Sequence, residues 1–442
     1  MKFPLLAFAL LAATPIPLAF AQQNTGAEWT PATVVPNTTM TGKNMSGYQG
    51  WFGAPGDMPG SNWIHFGDTP GKVGFDMWPD MSELDADERH DTKFTLKDGS
   101  NAQLFSSYNE KTVIRHFKWM RDYGLDGVFL QRFASQTTPG DPRRDRVDKI
   151  LSNVRKGAAQ YGRVYGMMYD VSGVRNGDMQ RIIDDWKHLV DTTKLTKDDR
   201  YIRHNGKPVV VIWGLGFSGR RDDLLDDGLK FVNFLKNDPI YGGNTVMIGV
   251  PSQWRTTDSE KVPWAKMEKL LAATDIIQPW MVGGPPTPEQ VVTKYADVVK
   301  KDIEWCNAHG KEYMPVVFPG FTWYNLRKGT TPSNQIPRLG GRFLWTQYVE
   351  AKKQGATMVY TAMFDEVDEG TAIFKVTNDA PPPQGGNQFV TLEGLPSDFY
   401  LRIAGQAGRL MRGEMKAEDD TLVKNAKWTP FVPELPVIPP AP

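Results

Sequence analysis

A (β/α)8 barrel, formed as a single domain with one long first loop, is the fold this sequence predicts, and three observations predict it. Short apolar runs recur along the chain, and each is followed by a segment with helical spacing. The runs are continuous rather than alternating, as expected of parallel strands buried on both faces. Eight such strand–helix pairs can be counted, and a barrel is the natural closure of that pattern. A doubly wound open sheet is the alternative. No Gly-x-Gly-x-x-Gly follows the first strand, which argues against a dinucleotide fold.

Taken in order, the first strand reads as Ser46 to Gly53. A Gly/Pro/Asp-rich segment from Ala54 to Tyr108 follows, carrying Trp63, His65, Trp78 and the acidic run Glu83 to Glu88. A connection of that length is usually a lid or a binding loop. Helical spacing then runs from Thr112 to Tyr123 and stops at Gly124. Strands are expected at Leu125–Gln131, Arg163–Asp170, Lys207–Gly214 and Thr245–Val250, then at Asp275–Trp280, Glu312–Phe318 and Ala356–Met363. The helices between and after them are Asp145–Tyr161, Met179–Thr192, Asp222–Asn237 and Pro263–Ala273, then Thr287–His309, Arg338–Gln354 and Ser397–Met415. The barrel thus spans residues 42–415, after a lead-in over 22–41 and before a Pro-rich tail over 416–442.

Residues 1–21 read as a secretory signal: Lys2, an apolar stretch from Leu5 to Ala13, and Ala19-Phe20-Ala21 as a cleavage site. The stretch is too short to span a membrane. Cleavage after Ala21 is expected, and with it export to the periplasm or the medium. Cys306 is the single cysteine, so no intramolecular disulfide forms. Charge is balanced, with 51 basic and 51 acidic residues, which gives no reason to expect nucleic acid or an anionic membrane as partner. Fourteen Trp, 14 Tyr and 22 Phe supply faces that suit sugar C–H surfaces as well as a core. Oligomeric state is not read from the sequence.

The chemistry is expected after the last strand. Asp365, Glu366, Asp368 and Glu369 crowd into five positions there. Like charges that close push one another's pKa values apart, so one acid stays protonated while its neighbour ionises. Glycoside hydrolysis needs such a pair. In a barrel the site lies at the carboxyl ends of the strands. Those ends bring Tyr48, Trp51, Gln131, Arg132, Tyr169 and Asp170 toward one mouth, with Trp213, Trp254, Trp280, Trp323, Tyr324 and Asp365. Aromatics, amides and acids in that mix suit a neutral polyhydroxylated ligand. Duller roles compete for each: Trp213 and Trp280 as core caps, Tyr48 as a packing residue, Arg132 as a rim ion pair with Asp170. No nucleophile elbow, Walker A loop or His-Glu-x-x-His appears, and no cofactor or metal is expected. A calcium site at Asp365 or Asp368 is the alternative use of the acids.

The segment Phe364-Asp365-Glu366-Val367-Asp368-Glu369-Gly370-Thr371 resembles the Asn-Glu-Trp-His-Glu-Gly-Thr motif of the glycoside hydrolase family 99 endo-α-mannosidases. Tyr48-Gln49-Gly50-Trp51-Phe52-Gly53 is similar to that family's Tyr-Tyr-x-Trp-Tyr-Gly. The mature chain resembles exported bacterial proteins of a family 71/99-like group, some labelled xylosidase/arabinosidase. The resemblance implies a (β/α)8 barrel with Glu366 and Glu369 as the catalytic pair. Glu366 would act as base on the sugar 2-hydroxyl, and Glu369 would protonate the leaving oxygen. Family 71 α-1,3-glucanases invert instead, so stereochemistry stays open. Asp365, Val367 and Asp368 depart from the motif's Asn, Trp and His. A non-catalytic carbohydrate-binding protein on the same scaffold is the second reading.

Overall fold

The computed structural model describes residues 31–175, 177–217 and 224–417. The chain divides into Met1–Thr30 and the compact unit Pro31–Pro442. The expected signal segment, the tail beyond Ala417 and the expected helix start at Asp222 lie outside the described residues.

Among the described residues, eight parallel strands close a barrel. They are β1 (Asn44–Tyr48), β2 (Gly127–Phe133), β3 (Val164–Asp170), β4 (Lys207–Trp213), β5 (Thr245–Pro251), β6 (Ile276–Trp280), β7 in two pieces (Glu312–Tyr313 and Val316–Val317) and β8 (Val359–Thr361). The first piece of β7 pairs with β6 and the second with β8. Pro315 lies at the break, where it has no N–H to give. Its carbonyl still accepts from Tyr360 N at 2.9 Å, so the ring closes. The helices are α1 (Glu110–Tyr123), α2 (Pro142–Tyr161), α3 (Met179–Thr193), α4 (Leu225–Asn237), α5 (Trp264–Ala273), α6 (Ala296–Ala308), α7 (Arg342–Lys353) and α8 (Phe399–Arg412). A π-turn at Val291–Tyr295 leads into α6. Ends follow local chemistry: Asn109 and Asp141 cap α1 and α2, and left-handed Gly124 and Gly162 stop them.

Two strand boundaries move. β1 begins at Asn44 and ends at Tyr48, not at Gly53, because Gly50 turns left-handed (φ 60) and the chain leaves the sheet there. β8 is shorter than the Ala356–Met363 expected. The long first loop is built into the structure rather than hanging over it. Phe66, Phe75 and Trp78 are buried, and Phe75 and Trp78 pack on Phe389. The loop also forms an antiparallel hairpin, His90–Thr95 with Asn101–Leu104. Its acidic run makes a short helical turn, Ala86–Glu88, with Glu88 buried against Arg115. No helix among the described residues is long and apolar enough to cross a membrane.

The outer ring is completed by α8, which packs against α7, α1 and β1. Its Ala404 carbonyl accepts from Asn44 Nδ2 at 2.8 Å, and its N-cap residue Asp398 accepts from Tyr123 Oη at 2.8 Å. Gly405 permits that approach, because a Cβ there would overlap the Tyr123 carbonyl. Gly405→Ala is therefore expected to lower unfolding free energy by ~1–3 kcal/mol, the usual cost of overpacking, read as a lower urea midpoint at constant slope.

Candidate active site

The acidic turn leaves β8 and is held from several sides. Asp365 is buried, and its carboxylate accepts from the Gln49 and Gly50 amides at 2.7 and 2.9 Å. Burial pushes its pKa up to about 7, against the two amides, which pull it down. Thr371 N donates to the Glu366 carbonyl (3.1 Å), Asp76 N to that of Val367 (2.9 Å) and Thr322 N to that of Glu369 (3.0 Å). Arg338 donates to the carbonyls of Gly370 and Ala372 at 2.9 and 2.7 Å. Left-handed Gly370 (φ 64) lies where a Cβ would strike Thr322. These contacts leave the turn little freedom to move the acids.

Within that frame Glu366 is 4% exposed. Burial raises its carboxyl well above the usual range, and the charges of Glu369, Asp368 and Asp365 raise it further. A side-chain hydrogen bond with Gln49 works the other way. Glu369 is half-buried on the wall of the same cleft. Asp76, from the long loop, accepts from Thr322 Oγ1 and Asn325 N, each at 2.7 Å. Burial carries it up to about 6.

The cleft at the carboxyl end of the barrel holds about 510 Å³. Eight of the residues expected from the sequence line it: Trp51, Gln131, Asp170 and Trp213, with Trp280, Trp323, Glu366 and Glu369. Trp213 and Trp280 meet edge to face, 5.2 Å apart. Tyr360 supports this floor from β8, hydrogen-bonded to Gln131. Among the described residues, no group of three or more His, Cys, Asp or Glu is placed to hold a metal ion.

Six expected ligand contacts are placed elsewhere, three of them by strand alternation, which sends neighbouring side chains to opposite faces. Gln131 and Phe133 face the cleft, so Arg132 between them points outward, where Asp185 takes it at 2.7 and 2.6 Å. Its partner is thus Asp185, with Asp148, rather than Asp170. Asp170 faces in, so Tyr169 faces out and donates to the same Asp185 at 2.8 Å. Gln49 lines the cleft, and Tyr48 before it is fully buried with its hydroxyl 2.8 Å from His116 Nδ1. Trp254 is buried edge-on against Trp305 at 4.8 Å. Tyr324 turns away from Trp323 and accepts from Gln388 at 3.1 Å. Asp365 serves the backbone of β1's exit rather than a ligand. Gln49, Phe133, Ser172, Phe321 and Gln335 line the cleft without having been expected. Alternation from Gln131 points to Phe133; Phe321 and Gln335 arrive from loops that carry no such signal.

No protein-family model matches the chain, and no curated protein matches it. Solved structures do. A glycoside hydrolase family 99 endo-α-mannosidase from Bacteroides thetaiotaomicron, in complex with bis-tris-propane, superposes with a TM-score of 0.60 at 15% identity, covering 85% of this chain and 99% of that one. A second structure of the endo-α-mannosidase from that organism gives 0.59 at 15% identity over the same shares, 85% and 99%. This chain and those endo-α-mannosidases share one (β/α)8 barrel fold.

Proposed function

We propose that this protein is a glycoside hydrolase that cleaves a neutral oligo- or polysaccharide, with Glu366 and Glu369 as its acid/base pair. One observation carries the reading: two neighbouring carboxylates, one deeply buried and one half-buried, line a single cleft with four tryptophans and three amides. Rings stack on sugar faces, and amides and acids bind hydroxyls. The likeness to endo-α-mannosidase structures supports it through the fold, and the motif around Glu366 through its residues. The leader-like start supports action outside the cytoplasm.

Depth supports the division of roles. Glu366 sits at the floor beside Gln49, where it can take a proton from a sugar hydroxyl; a raised pKa makes it a stronger base once ionised. Glu369 stands on the more open wall, where it can protonate a departing glycosidic oxygen and then activate water. With Val367 buried in place of the motif's Trp, mannose is one candidate sugar rather than the assumed one.

The test is hydrolysis of α-mannan, α-1,3-glucan, xylan, arabinan and aryl glycosides by wild type, Glu366→Gln and Glu369→Gln. Each variant is expected to lose ~10²- to 10⁴-fold in kcat, the usual share of acid–base catalysis. Activity that survives both substitutions sinks the assignment. Binding retained by both, with no turnover by wild type, selects the carbohydrate-binding reading. The pH profile tests the roles. A base works ionised, so activity should fall as pH falls through Glu366's raised value, putting the acid limb well above the ordinary 4.5. Asp368→Asn removes one of the raising charges and should move that limb to lower pH. Activity that instead falls as pH rises through the limb makes Glu366 the proton donor.

A further inference from the structure

His65, in the long first loop, adopts a backbone that non-glycine residues rarely take, with φ 62. Such conformations persist only where their surroundings over-determine them, and they concentrate at working sites. Here the residue before it is fastened to the exit of β1: Gly53 and Ile64 exchange backbone hydrogen bonds of 3.1 and 3.0 Å. The imidazole then lies flat on Trp51, 3.8 Å between centroids and 10° between planes. Its Nδ1 stands 3.4 Å from Oδ2 of Asp368. The other oxygen of Asp368 is buried and has no hydrogen-bond partner among the described residues. One side chain therefore touches both a wall of the cleft and the acidic turn.

We propose that His65 is a positioning residue of the site, setting the Trp51 ring on one side and the Asp368 carboxylate on the other. The proposal rests on the hydrolase reading above. Its logic is charge and shape together. Asp368 faces acids, namely Asp76, Asp365 and Glu366, and the basic side chain that reaches it is His65. His65 itself faces Asp368 and the rings of Trp51 and Phe52. The imidazole there faces the Asp368 carboxylate beside Glu366 and offsets its charge. Stacking holds Trp51, which also packs on Phe133 at 5.2 Å, in one orientation at the cleft.

His65→Asn tests this, because Asn tolerates the left-handed backbone while removing ring and charge. It is expected to lower kcat/KM ~10- to 100-fold, as small misplacements at a site do. It should also move the acid limb of the pH profile upward, since Asp368 is then left uncompensated beside Glu366. In the double variant with Asp368→Asn, the limb should coincide with that of Asp368→Asn alone, there being no charge left to offset. A role confined to packing gives additive shifts, and additive shifts overturn the proposal, as does wild-type kinetics in His65→Asn. A second readout needs no turnover. The imidazole ¹⁵N resonance absent from His65→Asn should move in Asp368→Asn; a resonance that stays put overturns the pair. If wild type cleaves no glycan, the hydrolase reading is what fails, and the resonance still decides for or against the contact.

Discussion

The structure of the site depends on one carboxylate that is not itself in the cleft. Asp365 receives the amides of Gln49 and Gly50, so the last strand of the barrel ends by grasping the exit of the first. That grasp stops β1 at Tyr48 and turns the chain at Gly50. It sets Gln49 on the cleft wall, where its side chain bonds Glu366, and it sends Trp51 to the rim. A parallel barrel has no hairpin to fix the distance between its first and last strands, because every neighbour is joined by a crossover. The backbone ladder from Asn44 to Ser46 sets their register, and the buried Asp365 carboxylate carries the attachment past the end of that ladder with two short hydrogen bonds.

The same arrangement is costly. Asp365, Glu366 and Asp76 all lie out of water near further acids, and burial raises the pKa of each. Charged forms resist desolvation, so the folded site holds protons that the unfolded chain would release. What keeps the turn from relaxing outward is bonding to its backbone: Thr322, Thr371 and Asp76 each hold one of its carbonyls, and Arg338 holds two. Three of these donors come from other parts of the chain, the long first loop, the loop after β7 and the segment just before α7. Their agreement on one short turn explains why the first loop is packed rather than free. It is a brace for the acids before it is a cover for the cleft.

The barrel was legible because its signal is redundant. Eight continuous apolar runs, each with a following helical period, survive errors of a few residues at any one boundary. The mouth was half legible, because reading strand ends picks the right level of the barrel but not the right face. Side chains alternate with a period of two, so Arg132 and Tyr169 were placed with a ligand when they belong to the outer layer on Asp185. Continuous apolar runs conceal that alternation, since both faces are buried. Tyr48 was misplaced for the same reason. Gln335 and His65 reach the site from loops, where contact depends on the path of the chain and no periodicity announces it.

Position 367 shows where the cleft's shape is decided. The related motif carries Trp there, and Val367 is instead fully buried, with its carbonyl held by Asp76. A smaller side chain at that point takes no part in lining the cleft. The aromatic wall beside the acids must come from elsewhere, and the loop after β7 supplies it with Phe321 and Trp323, whose rings meet 5.0 Å apart. Arg327 lies over Trp323 at 4.6 Å and steadies it from behind. That loop is tied to the acidic turn through the Thr322 amide and to Asp76 of the first loop through the Thr322 hydroxyl, so the wall and the acids share one frame. The shape of the cleft beside the acids is therefore set by Phe321, Trp323 and Gln335, all within residues 321–335.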